Sequence, residues 1–302
     1  MTAAPHRIGF IGAGKVATVL ATALVAKRYA VGAVYSRTGA SATRLAAALP
    51  STRVCSTIQE VAELCDLVFV ATPDDAISGV AGGVRWMPGQ SAVHCSGALS
   101  LDVLAPVAQA GGHVGGFHPL QSFAATGINE LTGVTVALEA EPPLLGMLRT
   151  IARDLGAHSV VVPSEGKAAY HISGVLVSNY VVTLVKTATD LLKGLGISEI
   201  EAREALLTLL QGTVNNMYTL GVPGALTGPI ARGDVGTVEH HLAALVDKPE
   251  ARALYVTLAE QTIPIGEAKG TLSPDAARRI RVLVATVPNK KAPTLEEVES
   301  VR

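Results

Sequence analysis

The sequence predicts an α/β fold class, with an N-terminal doubly wound parallel sheet followed by an all-α C-terminal domain. From residue 7 onward, short runs rich in β-branched residues alternate with Ala- and Leu-rich stretches that are typical of helices. A glycine-rich turn follows the first of these runs, and strand patterns stop after residue 164. We therefore expect a sheet domain at 1–163, a helical domain at 164–287 and a charged tail at 288–302.

Eight short runs are predicted to form the strands, and the helices lie between and after them. In chain order the runs are RIGFI, AVGAVY, RVC, LVFVA, SAVHC, HVGGF, VTVAL and HSVVV. Regular alternation of strand and helix indicates parallel strands joined by crossover helices. The second half is predicted to form helices at about 165–195, 199–218, 234–247, 250–263 and 273–285.

Composition excludes several classes of protein. Of 302 residues 49% are hydrophobic, and 24 basic against 25 acidic side chains leave a net charge of -1, so no basic stripe for nucleic acid and no polybasic patch for a membrane surface is expected. Three cysteines without a C-x-x-C pair indicate neither disulfides nor a metal site, which fits a cytoplasmic protein. The apolar stretch 168–185 carries several polar residues and is interpreted as a buried helix, not a membrane span.

The turn after the first strand carries Gly12, Gly14 and Ala17 in the order G-x-G-x-x-A. The first glycine permits a tight turn, the second lets the backbone approach a pyrophosphate, and the alanine allows close helix packing. The backbone N–H groups of Lys15 and Val16, at the start of the helix, face the same phosphate. This turn predicts a Rossmann domain that binds a dinucleotide.

The second strand ends without the acidic residue that would bind the ribose 2′-hydroxyl of NAD. Ser36, Arg37 and Thr38 stand there instead. Because an arginine with two hydroxyls suits a 2′-phosphate, we expect the cofactor to be NADP(H). The alternative is that Arg37 is a solvated loop residue. After the fourth strand, the loop at Ala71, Thr72 and Pro73 is predicted to pass over the cofactor and to contact it.

Two polar clusters follow the fifth and sixth strands, where ligands of such sheets bind. Ser96 and Gly97 form the first cluster, and His118 and Gln121 belong to the second. Histidine is well suited to give a proton near neutral pH, so His118 is a candidate acid; alternatively it is a turn histidine bonded to backbone. These strand ends resemble those of prephenate dehydrogenases, and the resemblance implies that Ser96 and His118 contact the substrate oxygen.

The first helix of the second half carries Lys167 and His171 four residues apart, with Asn179 further along. This arrangement resembles the superfamily of 6-phosphogluconate, β-hydroxyacid and ketopantoate reductases. The resemblance implies that Lys167 and His171 act as proton donor and substrate anchor, alongside His118 and Ser96. The alternative is that Lys167 extends along the helix start and His171 is a satisfied core residue. Which of His118, Lys167 and His171 donates the proton is left open.

Three stretches together resemble a bacterial family of Rossmann-like proteins with a C-terminal domain of unknown function, near the deazaflavin-dependent NADP reductases. They are FHPLQSF, YHISGVLVSNY and GALTGPIARGDVGTVEHHL. The likeness covers nearly the whole chain and implies a two-domain oxidoreductase without a settled substrate. Arg232, in the third stretch, is a candidate partner for a substrate carboxylate, although a loop arginine at a dimer surface would look the same.

The expected function is that of an NADP(H)-dependent oxidoreductase that transfers hydride to a small carboxylate-bearing carbonyl or imine, with a ketopantoate-type 2-oxo acid as the leading substrate. Two alternatives stay open: a pyrroline-carboxylate-type imine reductase and a non-catalytic NADP(H) sensor. We expect a cytoplasmic homodimer formed through the helical domain. Its partner besides a second copy is a small-molecule substrate, with neither nucleic acid nor membrane.

Overall fold

The computed structural model describes residues 7–123 and 130–285, so the predicted tail at 288–302 lies outside the described residues. Contacts divide the chain into a first unit, 1–181, and a second unit, 182–302. The division falls inside the helical stretch that follows the last strand, and the domain limits expected from the sequence stay a prediction. Cys55, Cys65 and Cys95 are free thiols.

The first unit is built on one eight-stranded sheet in the order β3-β2-β1-β4-β5-β6-β7-β8. All eight predicted strands are present: β1 Arg7–Ile11, β2 Ala30–Tyr35, β3 Arg53–Val54, β4 Leu67–Val70, β5 Ser91–His94, β6 His113–Pro119, β7 Thr135–Ala140 and β8 His158–Val161. Strands β1 to β6 are parallel, which confirms the doubly wound sheet. Strand β7 runs antiparallel to β6, and β8 is parallel to β7. The reversal at β7 was not expected from the sequence.

Two apolar clusters pack on the opposite faces of this sheet. Consecutive residues of a strand point to opposite faces, so Phe69 of β4 belongs to one cluster and Val68 to the other. The rings of Phe10 and Phe69 stack at 5.3 Å in the first cluster, and Phe117 meets Phe69 edge-on at 5.8 Å. Both faces are covered, as expected of a parallel sheet with near-continuous apolar strands.

The helices of the first unit connect these strands. They are α1 Lys15–Ala26, α2 Gly39–Ala47, α3 Ile58–Leu64, α4 Asp74–Gly82, α5 Ala105–Gln109, α6 Leu144–Asp154 and α7 Lys167–Val177, with α8 Asn179–Lys193 crossing the division. Thr57 caps the N-terminus of α3, and its hydroxyl accepts the Glu60 N–H at 3.2 Å. The sheet order places the end of β1 at the point where the strand sequence reverses, the usual ligand position in such folds.

The second unit is helical, as predicted. Its further helices are α9 Glu199–Ala225, α10 Pro229–Arg232, α11 Val235–Ala244, α12 Pro249–Lys269 and α13 Pro274–Ala285. An apolar cluster that includes Val238, Ile263 and Ile280 forms its core. Asp234 caps α11 by accepting the Thr237 N–H at 3.0 Å.

The helix expected at 165–195 differs from the prediction in two ways. It is divided at Ser178 into α7 and α8. It was also interpreted as buried, which is wrong for the described chain: Ser164–Lys193 is long and apolar enough to cross a membrane, and none of its most apolar window is buried. Val177 and Val182, for example, are 74% and 70% exposed. Composition could not predict this, because an apolar helix is covered only if another segment packs against it.

Candidate functional site

The glycine turn after β1 has the geometry that the sequence predicts. Gly12 has φ of 108°, and a Cβ there would lie 2.4 Å from the carbonyl oxygen of Ala71, so only glycine fits. A Cβ on Gly14, by contrast, would meet nothing within 4 Å, which leaves its backbone open to a ligand. Ala17 is fully buried against the core. The turn thus opens the N-terminus of α1 to solvent and ligand.

A pocket of about 590 Å³ lies over this turn at the carboxyl ends of β1, β2 and β4. Eight of the ten expected cofactor residues line it: Gly12, Gly14, Ser36, Arg37, Thr38, Ala71, Thr72 and Pro73. Lys15 and Val16 do not line it. They form the first turn of α1, where N–H groups have no helical acceptor because the first helical bond runs from Thr18 to Gly14.

The polar groups of this pocket suit an anionic ligand. Arg37 is exposed, and no ion pair engages it among the residues that the structure describes. The Thr72 hydroxyl is buried without a hydrogen-bond partner in the protein. Asp75 is the acidic residue on the wall, and it belongs to the first turn of α4. The open glycine backbone, the unpaired arginine and the unpartnered hydroxyl together fit a dinucleotide with a phosphate near Arg37.

A second cleft, of about 400 Å³, lies beside the end of β6. Four predicted site residues line it: His118, Gln121, His171 and Asn179. The remaining wall is partly apolar and partly hydroxylic, and consists of Leu120, Ser122, Gly174, Val175, Val177 and Ser178. The break in the helix at Ser178 therefore falls within the cleft.

His118 is part of β6 itself, whereas the sequence placed it after the strand. The antiparallel pairing with β7 extends the strand, because His118 faces Ala137 and Pro119 faces Val136. Its ring lies directly over Gly97, where a Cβ would be 2.8 Å from the Cε1 and Nε2 atoms. The pKa of His118 is lowered to about 4, mainly by burial and then by the charges of His171 and Lys167. The carboxylate of Asp74 acts in the opposite direction and raises this pKa. The imidazole is therefore neutral at pH 7.

Tyr170 of α7 contacts this imidazole. Its hydroxyl lies 3.1 Å from His118 Nδ1, and the two rings meet edge-to-face with centroids 5.5 Å apart. The ring of the exposed His171 is 6.3 Å from that of His118. One helix thus brings an aromatic hydroxyl and a second histidine to the same imidazole.

Ser96 is buried, and its hydroxyl is fully engaged within the protein. It donates to Asp74 Oδ2 at 2.8 Å and accepts the backbone N–H groups of Ala98 and Leu99 at 3.2 and 3.1 Å. Ser96 also lines a small cavity, which has no room for a water molecule, together with Gly97 and His118. Its position next to His118 agrees with the expected grouping, and its bonds tie the loop after β5 to the start of α4.

Lys167 is buried as an ion pair at the N-terminus of α7. Its Nζ lies 2.8 Å from Oε2 of Glu139 on β7, and the two side chains are only 6% and 11% exposed. The hydroxyl of Ser164 also donates to Glu139. Lys167 shares the small cavity with Ser96 and His118. Its charge therefore faces a carboxylate and is not free in the open cleft.

Two family models match the chain. A Rossmann-like domain matches residues 1–119, and a domain of unknown function, DUF2520, matches residues 134–262. The chain is a Rossmann-like protein with a DUF2520 domain. This confirms the family resemblance of the sequence. The His118 site is assembled from both matched regions, because His118 lies in the Rossmann-like match and Tyr170 in the DUF2520 match.

Solved structures with the same fold include two of similar length. A candidate NADP oxidoreductase from Bacteroides fragilis is 27% identical, with 86% of this chain and 98% of that one covered and a TM-score of 0.70. A protein from Thermotoga maritima is 26% identical over 87% of this chain and 99% of that one, with a TM-score of 0.73. A 1-pyrroline-5-carboxylate reductase from Streptococcus pyogenes, 16% identical over 87% and 98%, has a TM-score of 0.61 and shows the shared fold. No curated protein sequence matches the chain.

Within the DUF2520 match, Arg232 is the predicted residue that belongs to the second unit. It is the last residue of α10 and is exposed. Its role as a carboxylate partner stays a prediction.

Sequence reasoning missed three residues that contact the predicted ones: Asp74, Glu139 and Tyr170. Glu139 lies in none of the quoted motifs, and Tyr170 begins the stretch YHISGVLVSNY without an assigned role. Their contacts join residues 22, 28 and 52 positions apart, and pairings of that kind follow from the fold and leave no local pattern. The one available signal was the carboxylate of Glu139 within an otherwise apolar strand, which requires a buried partner.

Proposed function

We propose that the protein is an NADP(H)-dependent oxidoreductase that transfers hydride to a small carbonyl or imine substrate. The observation that carries this is the pocket over the G-x-G-x-x-A turn, which ends on the unpaired Arg37 and two hydroxyls where NAD-binding folds place a carboxylate. The Bacteroides fragilis relative, a candidate NADP oxidoreductase at 27% identity, supports the cofactor and the reaction class.

Different residues of the pocket would bind different parts of the cofactor. The backbone at Gly12 and Gly14 with the N-terminus of α1 would hold the pyrophosphate, and Ser36, Arg37 and Thr38 the 2′-phosphate. The unpartnered Thr72 hydroxyl would hydrogen-bond the part of the cofactor that passes the loop after β4. When bound, the cofactor supplies the hydride. Among the described residues, no group of three or more His, Cys, Asp or Glu side chains is placed to hold a metal ion.

A chain of contacts connects this pocket with the cleft of His118. Pro73 of the cofactor pocket is followed by Asp74, which accepts the hydrogen bond from Ser96. Ser96 in turn shares the small cavity with His118. A substrate bound at His118 would therefore lie near the loop after β4, which lines the cofactor pocket.

Of the four candidate catalytic residues, His118 fits best as the group that contacts the substrate. The Ser96 hydroxyl donates to Asp74, and Lys167 forms an ion pair with Glu139. Both side chains would therefore stabilise the site and would not contact the substrate directly. His118 lines the open cleft together with His171. A neutral imidazole at this position would donate a hydrogen bond to the substrate oxygen or nitrogen as negative charge develops there.

The substrate that we favour is a small 2-oxo acid of the ketopantoate type. A cyclic imine acid of the pyrroline-carboxylate type is the alternative, since the same hydrogen-bond donor serves a carbonyl oxygen or an imine nitrogen. The cleft volume of about 400 Å³ is in the range of small-molecule sites.

We further propose that the protein works in the cytoplasm as a homodimer formed through its helical part. Helices α7, α8 and α9 expose large apolar side chains, among them Val177, Val182, Leu209 and Tyr218 at 74%, 70%, 68% and 88%. Exposed apolar surface on this scale marks an interaction site. A second copy would cover the apolar length of Ser164–Lys193 and remove it from water.

The cofactor assignment is tested by titrating NADPH and NADH against the wild type and an Arg37→Ala variant, with protein fluorescence as the readout. Loss of a charge-assisted contact should weaken NADPH binding about 10- to 100-fold and leave NADH binding unchanged. Arg44→Ala is the control, because Arg44 is an exposed arginine in the last turn of α2 that does not line the pocket. Equal losses for both nucleotides would reject the 2′-phosphate site.

Turnover is tested with the wild type, NADPH and a panel of 2-oxo acids and cyclic imines. Oxidation of NADPH with one class of substrate would support the reductase and identify its substrate class. Tight, selective NADPH binding without turnover across the panel would favour a nucleotide sensor.

A further inference from the structure

Tyr170 contacts His118 but is not one of the site residues predicted from the sequence. The Tyr170 hydroxyl lies 3.1 Å from His118 Nδ1, and the rings are nearly perpendicular at 87°. Tyr170 lines the small cavity with Ser96, Gly97 and His118 and does not line the open cleft. It therefore contacts the imidazole outside the open cleft, where the proposed substrate binds.

We infer that Tyr170 is a positioning residue that fixes the tautomer of His118, with Nδ1 accepting the phenol hydrogen and Nε2 carrying the N–H that meets the substrate. The part concerning the substrate rests on the proposed function. The tautomer itself is a property of the free protein and is measurable without any cofactor.

The phenol and the imidazole each have one hydrogen to place. Burial raises the pKa of Tyr170 to about 12, so the hydroxyl keeps its hydrogen at neutral pH. Burial, with the charges of His171 and Lys167, lowers the pKa of His118 to about 4, so the ring is neutral with a single N–H. A neutral imidazole has one donor and one acceptor nitrogen, and the partner of one nitrogen decides the state of the other.

The phenol hydrogen has two acceptors within reach. His118 Nδ1 lies at 3.1 Å and the backbone carbonyl oxygen of the same residue at 3.4 Å, near the limit for a hydrogen bond. The inferred arrangement places the phenol hydrogen on Nδ1, because that contact is the shorter of the two. Nε2 consequently holds the ring hydrogen. In the reverse arrangement, the phenol donates to the carbonyl oxygen and accepts the Nδ1–H, which would leave Nδ1 protonated in the wild type.

The remaining contacts hold the ring in one orientation. The His118 ring lies so close to Gly97 that a Cβ on Gly97 would be 2.8 Å from the Cε1 and Nε2 atoms of the ring. With one face over Gly97 and Nδ1 bound to Tyr170, the ring cannot turn over without losing the phenol contact. Nε2–H then becomes a fixed donor for the charge that develops on the substrate oxygen or nitrogen.

The experiment compares ¹⁵N NMR spectra of histidine-labelled wild type, Tyr170→Phe and Tyr255→Phe, all without nucleotide at pH 7. The second unit provides a matched control: Tyr255 OH lies 3.0 Å from His241 Nδ1, with ring centroids 5.7 Å apart at 86°. Each variant removes one phenol hydroxyl from one such pair and keeps the ring. His118→Gln and His241→Gln assign the two signals.

In the wild type we expect His118 with an unprotonated Nδ1 and a protonated Nε2. Tyr170→Phe should convert this signal to a mixture of tautomers, and Tyr255→Phe should leave it unchanged. A protonated Nδ1 in the wild type, or an unaltered His118 signal in Tyr170→Phe, would overturn the inference.

Kinetics then test the consequence for the reaction. Loss of the tautomer bias should lower kcat of Tyr170→Phe about tenfold while the Kd for NADPH stays unchanged, because the cofactor pocket does not include Tyr170. An unchanged kcat despite a shifted tautomer would reject the positioning role. A wild type without any turnover would instead reject the proposed function, and the NMR result would still decide the tautomer.

Discussion

Gly97 supplies the space that the imidazole of His118 occupies. The role does not depend on backbone strain, since its φ is not among the positive values. It depends on distance, because any side chain would begin 2.8 Å from the ring. The sequence placed Gly97 in the substrate pocket. The structure adds that its missing side chain is needed by a residue 21 positions away in the next strand.

A Gly97→Ala substitution should displace His118 and lower kcat by about 100-fold, the usual effect of moving a reacting group by about 1 Å. The Kd for NADPH should not change, since neither residue lines the cofactor pocket. Steady-state kinetics and nucleotide titration measure the two quantities. Gly146→Ala is the control, because a Cβ on Gly146 meets nothing within 4 Å. A Gly97→Ala variant with wild-type kcat would show that the ring position is not critical.

At the scale of elements, the ion pair between Lys167 and Glu139 joins the N-terminus of α7 to β7. Two buried charges are expensive to desolvate, so the pair contributes little net stability while both partners are present. Removal of one partner is costly, since it leaves an uncompensated charge in the interior. The pair thus determines where α7, with Tyr170 and His171, meets the sheet.

Glu139→Gln should therefore lower the free energy of unfolding by about 3–5 kcal/mol, because Lys167 is left buried without its counter-ion. The double variant Lys167→Met and Glu139→Met should recover most of this loss. Urea unfolding monitored by circular dichroism measures the difference. Arg278→Met, which removes one partner of the exposed Arg278–Asp275 pair, should cost less than about 1 kcal/mol. A double variant that is no more stable than Glu139→Gln would show that the loss does not come from an unpaired Lys167.

The strands illustrate what pattern alone predicts at this scale. Each of the eight was predicted from β-branched runs between turn residues, because local propensity and burial both act along the strand. The antiparallel direction of β7 could not be predicted, since an apolar strand has the same alternation in either direction. That direction has a functional consequence: the pairing of His118 with Ala137 extends β6 through the histidine.

At the scale of the whole molecule, the exposed apolar helices predict self-association. Analytical ultracentrifugation of the wild type at micromolar concentration should show a dimer. The double variant Val182→Lys and Leu209→Lys should sediment as a monomer, because two buried lysines per subunit would have to lose their hydration. Val282→Lys, at an exposed valine of α13 outside helices α7 to α9, is the control and should remain dimeric. A monomeric wild type would contradict the proposed interface.

Patterns along the chain were enough to predict the fold class, the eight strands, the glycine turn and eight of the residues that line the cofactor pocket. These features depend on local periodicity, on the φ of single glycines and on residues close in the chain, such as Ser36 to Thr38 after β2. The partners of the candidate catalytic residues, by contrast, follow from tertiary contacts. Contacts across 22 to 52 positions bind Ser96 to Asp74, pair Lys167 with Glu139 and set Tyr170 against His118. Such partners depend on how strands and helices pack, and burial then sets their charge, so no linear pattern specifies them.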